Sequence, residues 1–77
     1  MNPLASILKA MGISPADASG MFGVPASLIT SVLLGERPTI PMKLMFALAE
    51  QGFTNNQIAN FCTTYDAWRN DQRYRTA

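Results

Sequence analysis

Few side chains in this sequence are of the types that carry out catalysis or hold a metal ion. The 77 residues contain no histidine, a single cysteine (Cys62) and five scattered acidic residues. Histidine is the usual general base and the commonest zinc ligand, so both roles lack their main candidate. The glycine pair Gly20-x-x-Gly23 lacks the preceding strand that a nucleotide-binding loop requires. We therefore expect no enzymatic activity, no metal site and no cofactor.

The overall charge gives no argument for or against a nucleic-acid partner. Six Lys and Arg residues and five Asp and Glu residues leave a net charge of +1. One cysteine excludes an internal disulfide, which leaves a cytoplasmic setting open. The N-terminus has no secretory pattern, and the longest uncharged run, between Asp17 and Glu36, is too polar to cross a membrane. We expect one cytoplasmic domain without membrane contact.

Glycine and proline residues divide the chain into short helical segments. We expect helices over 3–11, 15–22, 25 to about 34 and 41–51, a short fifth helix capped by Thr54, and a separate segment from Tyr65 to about Arg75. The fourth helix is apolar nearly all round, which predicts a buried central element. No stretch alternates with the period of a strand. The prediction is an all-α compact bundle of five to six short helices, with a domain over 1–62 and a C-terminal helical extension over 63–77.

The spacing of four residues predicts that the second and third helices form a helix-turn-helix. Ser19 is small enough for the two helices to cross closely, and Gly23 can adopt the left-handed conformation of a sharp turn. Val24 and Ile29 then hold the third helix against the second. A small residue, three spacers, glycine, five spacers and a branched aliphatic residue is the pattern of this motif.

The segment from Ser14 to Gly52 resembles the lambda-repressor and Cro (XRE-type) helix-turn-helix family of phage repressors and small antitoxins. The similar stretches are Phe22-Gly23-Val24, Ile29-Thr30-Ser31, Leu34-Gly35-Glu36-Arg37-Pro38, and Ile40-Pro41 leading into Leu48-Ala49. The resemblance covers about half of the chain, and no family motif follows Gly52. It implies a lambda-repressor-like fold in which the third helix enters the major groove of DNA.

The resemblance also implies which residues contact DNA. The candidates are Ser14, Pro25, Ala26, Ser27, Thr30, Ser31, Arg37 and Lys43. Hydroxyl groups can bind bases or phosphates, and Ala26 and the Thr30 methyl group can contact a thymine methyl. Arg37 and Lys43 are suited to phosphates, and Ser14 with the first amides of the second helix offers an uncharged phosphate site.

Two functions from different classes follow. The first is a transcriptional regulator of phage or mobile-element type that binds a palindromic operator as a homodimer, with half-sites about 34 Å apart. The alternative is a protein-binding adaptor or inhibitor that keeps the scaffold and grips a partner with the apolar face around Val24 to Leu34. Pro25, Ala26 and Leu34 motivate it, because polar base readers are common at these positions in the family.

The C-terminal extension mixes basic and aromatic residues and has three interpretations. Its basic residues are Arg69, Arg73 and Arg75, and its aromatic residues are Tyr65, Trp68 and Tyr74. They could form a second nucleic-acid surface. Alternatively, Tyr65 and Trp68 pack inward beneath a solvated face. In the third interpretation Tyr65 and Trp68 form a dimer contact, since both residue types are frequent interface anchors.

Overall fold

Five α-helices make up the computed structural model, which describes residues 2–76 and the side chains of residues 2–72. They are α1 (Pro3–Met11), α2 (Pro15–Phe22), α3 (Ala26–Leu33), α4 (Met42–Glu50) and α5 (Asn55–Thr76). No strand occurs in this range, and the all-α prediction is confirmed. None of the helices described there is long and apolar enough to span a membrane.

Side-chain caps start three of the helices at the predicted positions. Ser14 and Asp17 form a reciprocal capping box at α2, in which each side chain accepts the other residue's backbone N–H, at 3.4 and 3.1 Å. Thr54 and Gln57 repeat this arrangement at α5, at 2.8 and 3.1 Å. Each box satisfies amide groups that have no partner within the helix. Local sequence alone therefore sets these helix starts.

Asn2 caps α1 and also connects it to α3. Its side-chain oxygen accepts the N–H groups of Leu4 and Ala5, at 2.8 and 3.1 Å. Its amide nitrogen donates to the carbonyl of Val32 at 3.1 Å and lies 3.3 Å from that of Leu33. Asn2 is buried, so these bonds also satisfy a polar group removed from water.

The core lies where all five helices meet. Its largest fully buried side chains are Tyr65, Leu4, Ile29, Leu44, Leu48 and Val32. α5 packs on both α1 and α4, and α2 packs on α3 and α4. The long last helix thus supports both α1 and α4.

Two predictions about the helices are wrong. The fifth helix and the aromatic segment are one continuous 22-residue helix, α5, because no glycine or proline interrupts residues 55–76. The proposed boundary between residues 62 and 63 therefore falls inside a helix. α4 is not buried all round, since Met42 and Phe46 are 63% and 64% exposed.

Candidate nucleic-acid interface

Ser19 organises the three-residue turn between α2 and α3. Its backbone carbonyl accepts the N–H groups of Gly23 and Val24, at 3.1 and 3.3 Å. Its hydroxyl donates to the carbonyl of Val24 at 2.7 Å. Gly23 has φ +67°, as the sequence predicts, and Val24 and Ile29 are buried. The sequence pattern requires only that Ser19 be small, but its hydroxyl also closes the turn.

The outer face of α3 is uncharged and exposed. Pro25, Ala26, Ser27 and Thr30 all lie on it. The helix has no acidic residue in its first turn and no side-chain cap, so none of the side chains that the structure describes occupies its first amide groups. This face offers hydroxyl groups, a methyl group and unpaired amides, but no cation.

Ser14 is not the open phosphate site that the resemblance implies. Its hydroxyl oxygen already accepts the backbone N–H of Asp17, and the Asp17 carboxylate lies at the same helix start. The carboxylate satisfies the positive end of the α2 dipole and would repel a phosphate placed there. The start of α3 lacks such a carboxylate and is the better anion-facing end of the two helices.

Ser31 holds Arg37 and has no free hydroxyl with which to read a base. Its side chain is half-buried, donates to the carbonyl of Leu28 at 2.8 Å and accepts Nε of Arg37 at 2.7 Å. The exposed Arg37 guanidinium therefore lies against the C-terminal half of α3. The structure brings these two candidates together but gives Ser31 a supporting position.

Three residues of α5 hold the loop that follows α3. The Tyr65 hydroxyl donates to the carbonyl of Arg37 at 2.7 Å. Arg69 donates from Nε to the carbonyl of Gly35 at 2.9 Å and from Nη1 to that of Pro38 at 3.4 Å. A Cβ atom at Gly35 would lie 2.7 Å from Cζ3 of Trp68, so this ring packs directly on the loop backbone. The helical spacing of these three residues marks a shared face, but it does not identify the loop as its target.

Tyr65 is not available as a dimer contact. It is 0% exposed, and its ring centroid lies 6.0 Å from that of the half-buried Trp68. Burial raises the pKa of Tyr65 and the Asp66 carboxylate raises it further, while the charges of Arg69 and Arg37 lower it. The hydroxyl is therefore protonated at neutral pH and acts as a donor to the loop. The inward-packed interpretation describes Tyr65.

Lys43 lies apart from the α3 face, in the first turn of α4. It is exposed and lines a groove of about 390 Å³ between α4 and the α2–α3 turn. Phe46 and Glu50 line the same groove from α4, and Val24 lines it from the turn. Lys43 and Arg37 thus flank different parts of the molecule's surface, one beside the turn and the other beside the end of α3.

The remaining basic-aromatic candidates, Arg73, Tyr74 and Arg75, lie outside the side chains that the structure describes. Among the residues that it describes, no three His, Cys, Asp or Glu side chains are grouped so that they could hold a metal ion. No protein-family model, curated protein or solved structure matches this chain.

Proposed function

We propose that this chain is a sequence-specific DNA-binding regulator that places α3 in the major groove and Arg37 against the phosphate backbone. One observation carries the proposal: Arg37 is tied to α3 by its 2.7 Å hydrogen bond to Ser31. A cation suited to phosphate is thereby fixed beside an exposed helix face that carries hydroxyl groups. Phosphate contacts set the orientation of a protein on DNA, and contacts to base edges read the sequence.

The chemistry of α3 suits a groove read by small side chains. Ser27 and Thr30 are exposed, and a hydroxyl group can donate to or accept from a base edge or a phosphate. Ala26 and the methyl group of Thr30 suit contact with thymine methyl groups. Because α3 carries no cation and no planar amide side chain, the face lacks bidentate base readers, and we expect modest affinity for each half-site.

Arg37 supplies the positive charge that α3 lacks. Its Nε donates to Ser31, while the Nη nitrogens carry further N–H donors that can pair with phosphate oxygens. The loop that carries it is held by Tyr65 and Arg69 of α5. Since the loop is already fixed before binding, less conformational entropy is lost when the contact forms.

Two copies bound to a palindromic site would compensate for the small surface that one copy presents to DNA. A homodimer doubles the phosphate contacts and links two half-sites, so that the second α3 binds at a high effective concentration. We therefore propose that the chain acts as a dimeric transcriptional regulator of phage or mobile-element type, on half-sites about 34 Å apart.

Most of the apolar face that the adaptor alternative requires is buried. The alternative requires an apolar face around Val24 to Leu34, but Val24, Leu28, Ile29 and Val32 are buried in the core. Of the large apolar side chains in that segment, Leu34 is the exposed one, at 65%. A single exposed leucine is ordinary for a protein surface and does not form a docking patch.

Selection from a randomised DNA duplex library at low salt tests the proposal. The wild-type chain should enrich a palindromic sequence over successive rounds. Thr30→Glu provides the matched control, because Thr30 is exposed and the new carboxylate repels DNA without disturbing the core. Absence of enrichment by the wild-type chain, relative to Thr30→Glu, would remove the assignment of α3 as a DNA-reading helix.

A further inference from the structure

The outer face of α4 carries an apolar stripe with no partner in the described chain. Met42, Phe46 and Ala49 are exposed and lie four and three residues apart, which places them on one face of the helix. Met42 and Phe46 are two of the four large apolar side chains that the described part of the chain leaves exposed, at 63% and 64%. The opposite face, with Leu44, is buried in the core.

Two opposite charges border this stripe on the same edge. Lys43 and Glu50 are exposed, and because they are seven residues apart they occupy equivalent positions along one side of the helix. Both line the groove beside the α2–α3 turn, and Phe46 lies between them along that groove. The edge is therefore positive, aromatic and negative in order from the start of α4 to its end.

We infer that α4 packs antiparallel against α4 of a second copy of this chain, around a two-fold axis beside Phe46. In an antiparallel pair, equivalent edges of the two helices face each other. Lys43 of each copy then meets Glu50 of the other, and the two Phe46 rings meet near the axis. A two-fold interface uses the same patch on both copies, so a patch must be complementary to itself. The order of charges on this edge meets that condition.

The order of charges favours a second copy as the occupant over an unrelated partner. An edge with charges of one sign would repel the same edge of a second copy and attract a protein of opposite charge. This edge carries one charge of each sign, so in an antiparallel pair it faces the opposite charges of its own copy. The groove of about 390 Å³ beside Phe46 gives the ring of the second copy a partly apolar wall formed by Phe22 and Val24. Because α4 has only nine residues, the contact is small and we expect weak association.

This dimer goes beyond the proposed function because it rests on α4 and the groove beside it and forms without DNA. It differs from the sequence-based assignment of the dimer contact to Tyr65 and Trp68. It also uses the Lys43 ammonium group within the interface, in place of a phosphate contact.

Analytical ultracentrifugation of the full chain, without DNA and over a range of concentrations, measures the association. The wild-type chain should show a reversible monomer–dimer equilibrium, and Phe46→Ala should raise its Kd by about tenfold or more. Leu34→Ser is the matched control, because it also removes an exposed large apolar side chain but lies off α4. Phe46 is exposed in the monomer, so circular dichroism of both variants should match that of the wild-type chain.

Charge reversal tests the antiparallel arrangement. Lys43→Glu places two carboxylates against each other in both pairs, and Glu50→Lys places two ammonium groups against each other, so each variant alone should dimerise several-fold more weakly. An equimolar mixture of the two variants should recover dimerisation as a heterodimer. Every cross-pair in that heterodimer joins a carboxylate to an ammonium group, because one chain carries Glu at positions 43 and 50 and the other carries Lys at both.

The double variant Lys43→Glu/Glu50→Lys gives the cleaner readout of the same pairing. It exchanges the two charges within each chain, so every antiparallel pair is again of opposite sign. This variant should dimerise as strongly as the wild-type chain, although each single variant dimerises more weakly. Recovery in the double variant identifies the two side chains as partners across the interface.

Either of two results would overturn the inference. One is a wild-type chain that stays monomeric at every concentration. The other is a dimer that survives Phe46→Ala and shows no recovery in the double charge variant. Both readouts are made without DNA, so they are independent of the proposed function: a chain that dimerises through α4 but selects no DNA sequence would refute only the DNA proposal.

Discussion

The Tyr65 hydroxyl donates a 2.7 Å hydrogen bond to the backbone carbonyl of Arg37. This bond joins the middle of α5 to the loop that leaves α3, across 28 residues of sequence. Tyr65 is fully buried, so the bond satisfies a hydroxyl and stabilises a loop in one step. The residue that carries the proposed phosphate contact is thus held by the core of the protein.

Tyr65→Phe should destabilise the protein by about 1–3 kcal/mol, because the Arg37 carbonyl loses its donor while the ring remains. Urea unfolding measures the change. Thr64→Val is the control: its exposed hydroxyl donates to the Asn60 carbonyl at 2.7 Å, and water can replace that bond, so the cost should be about 0.5 kcal/mol or less. Equal costs for the two variants would contradict a structural role for the Tyr65 bond.

Gly35→Ala should cost more free energy of unfolding than Gly12→Ala. Both glycines have φ +72°, so both variants incur the left-handed strain of about 1–2 kcal/mol. At Gly35 the new Cβ also lies 2.7 Å from Trp68 Cζ3, whereas at Gly12 it meets no atom within 4 Å. In a Trp68→Ala background this excess should disappear, which a double-mutant cycle detects. An excess that persists without the indole ring would show that Trp68 is not its cause.

Ser31→Ala should weaken binding to all DNA sequences to a similar extent, as Arg37→Ala does. The resemblance implies that Ser31 and Thr30 both contact DNA, where a hydroxyl group can bind a base. The Ser31 hydroxyl is instead occupied by Leu28 and Arg37, so its removal releases the Arg37 guanidinium and leaves the base-facing surface intact. Only Thr30→Ala should change preference.

Fluorescence anisotropy on a selected site and its single-base variants distinguishes these effects. Because Ser31 acts through Arg37, the double variant Ser31→Ala/Arg37→Ala should bind no more weakly than Arg37→Ala alone. A changed sequence preference in Ser31→Ala would restore the base-reading role of that hydroxyl.

Cys62 should react with alkylating reagents more slowly than an ordinary thiol at neutral pH. Burial, followed by the Asp66 carboxylate, raises the pKa of the Cys62 thiol, and a higher pKa lowers the thiolate fraction at a given pH. The pH profile of alkylation should therefore be displaced to higher pH. Asp66→Asn should move it part of the way back, since burial remains, and an unchanged profile would remove the carboxylate as a cause.

Elements that depend on neighbouring residues could be predicted from the sequence, while long-range contacts could not. The starts of α2 and α5 follow from capping pairs three residues apart, at Ser14 and Thr54. The left-handed turn at Gly23 was likewise local. By contrast, the exposed side of α4 depends on which helices cover it, and apolar composition does not reveal that.

The same distinction applies to the candidate site. The hydroxyl groups on α3 are visible in the sequence, and Thr30 is exposed as its proposed role requires. The role of Ser31 depends on where Arg37 goes, and Arg37 is placed by Tyr65 and Arg69 of α5. No local pattern near Ser31 contains that information.

Footprinting of the wild-type chain on the DNA upstream of its own gene tests the central claim most directly. At low salt we expect a protected palindrome with two half-sites about 34 Å apart, and protection that weakens as salt rises because phosphate contacts release counterions. Arg37→Ala should lose this protection at a lower salt concentration than the wild-type chain. A wild-type chain that protects no site in that DNA, even at low salt, would contradict the account.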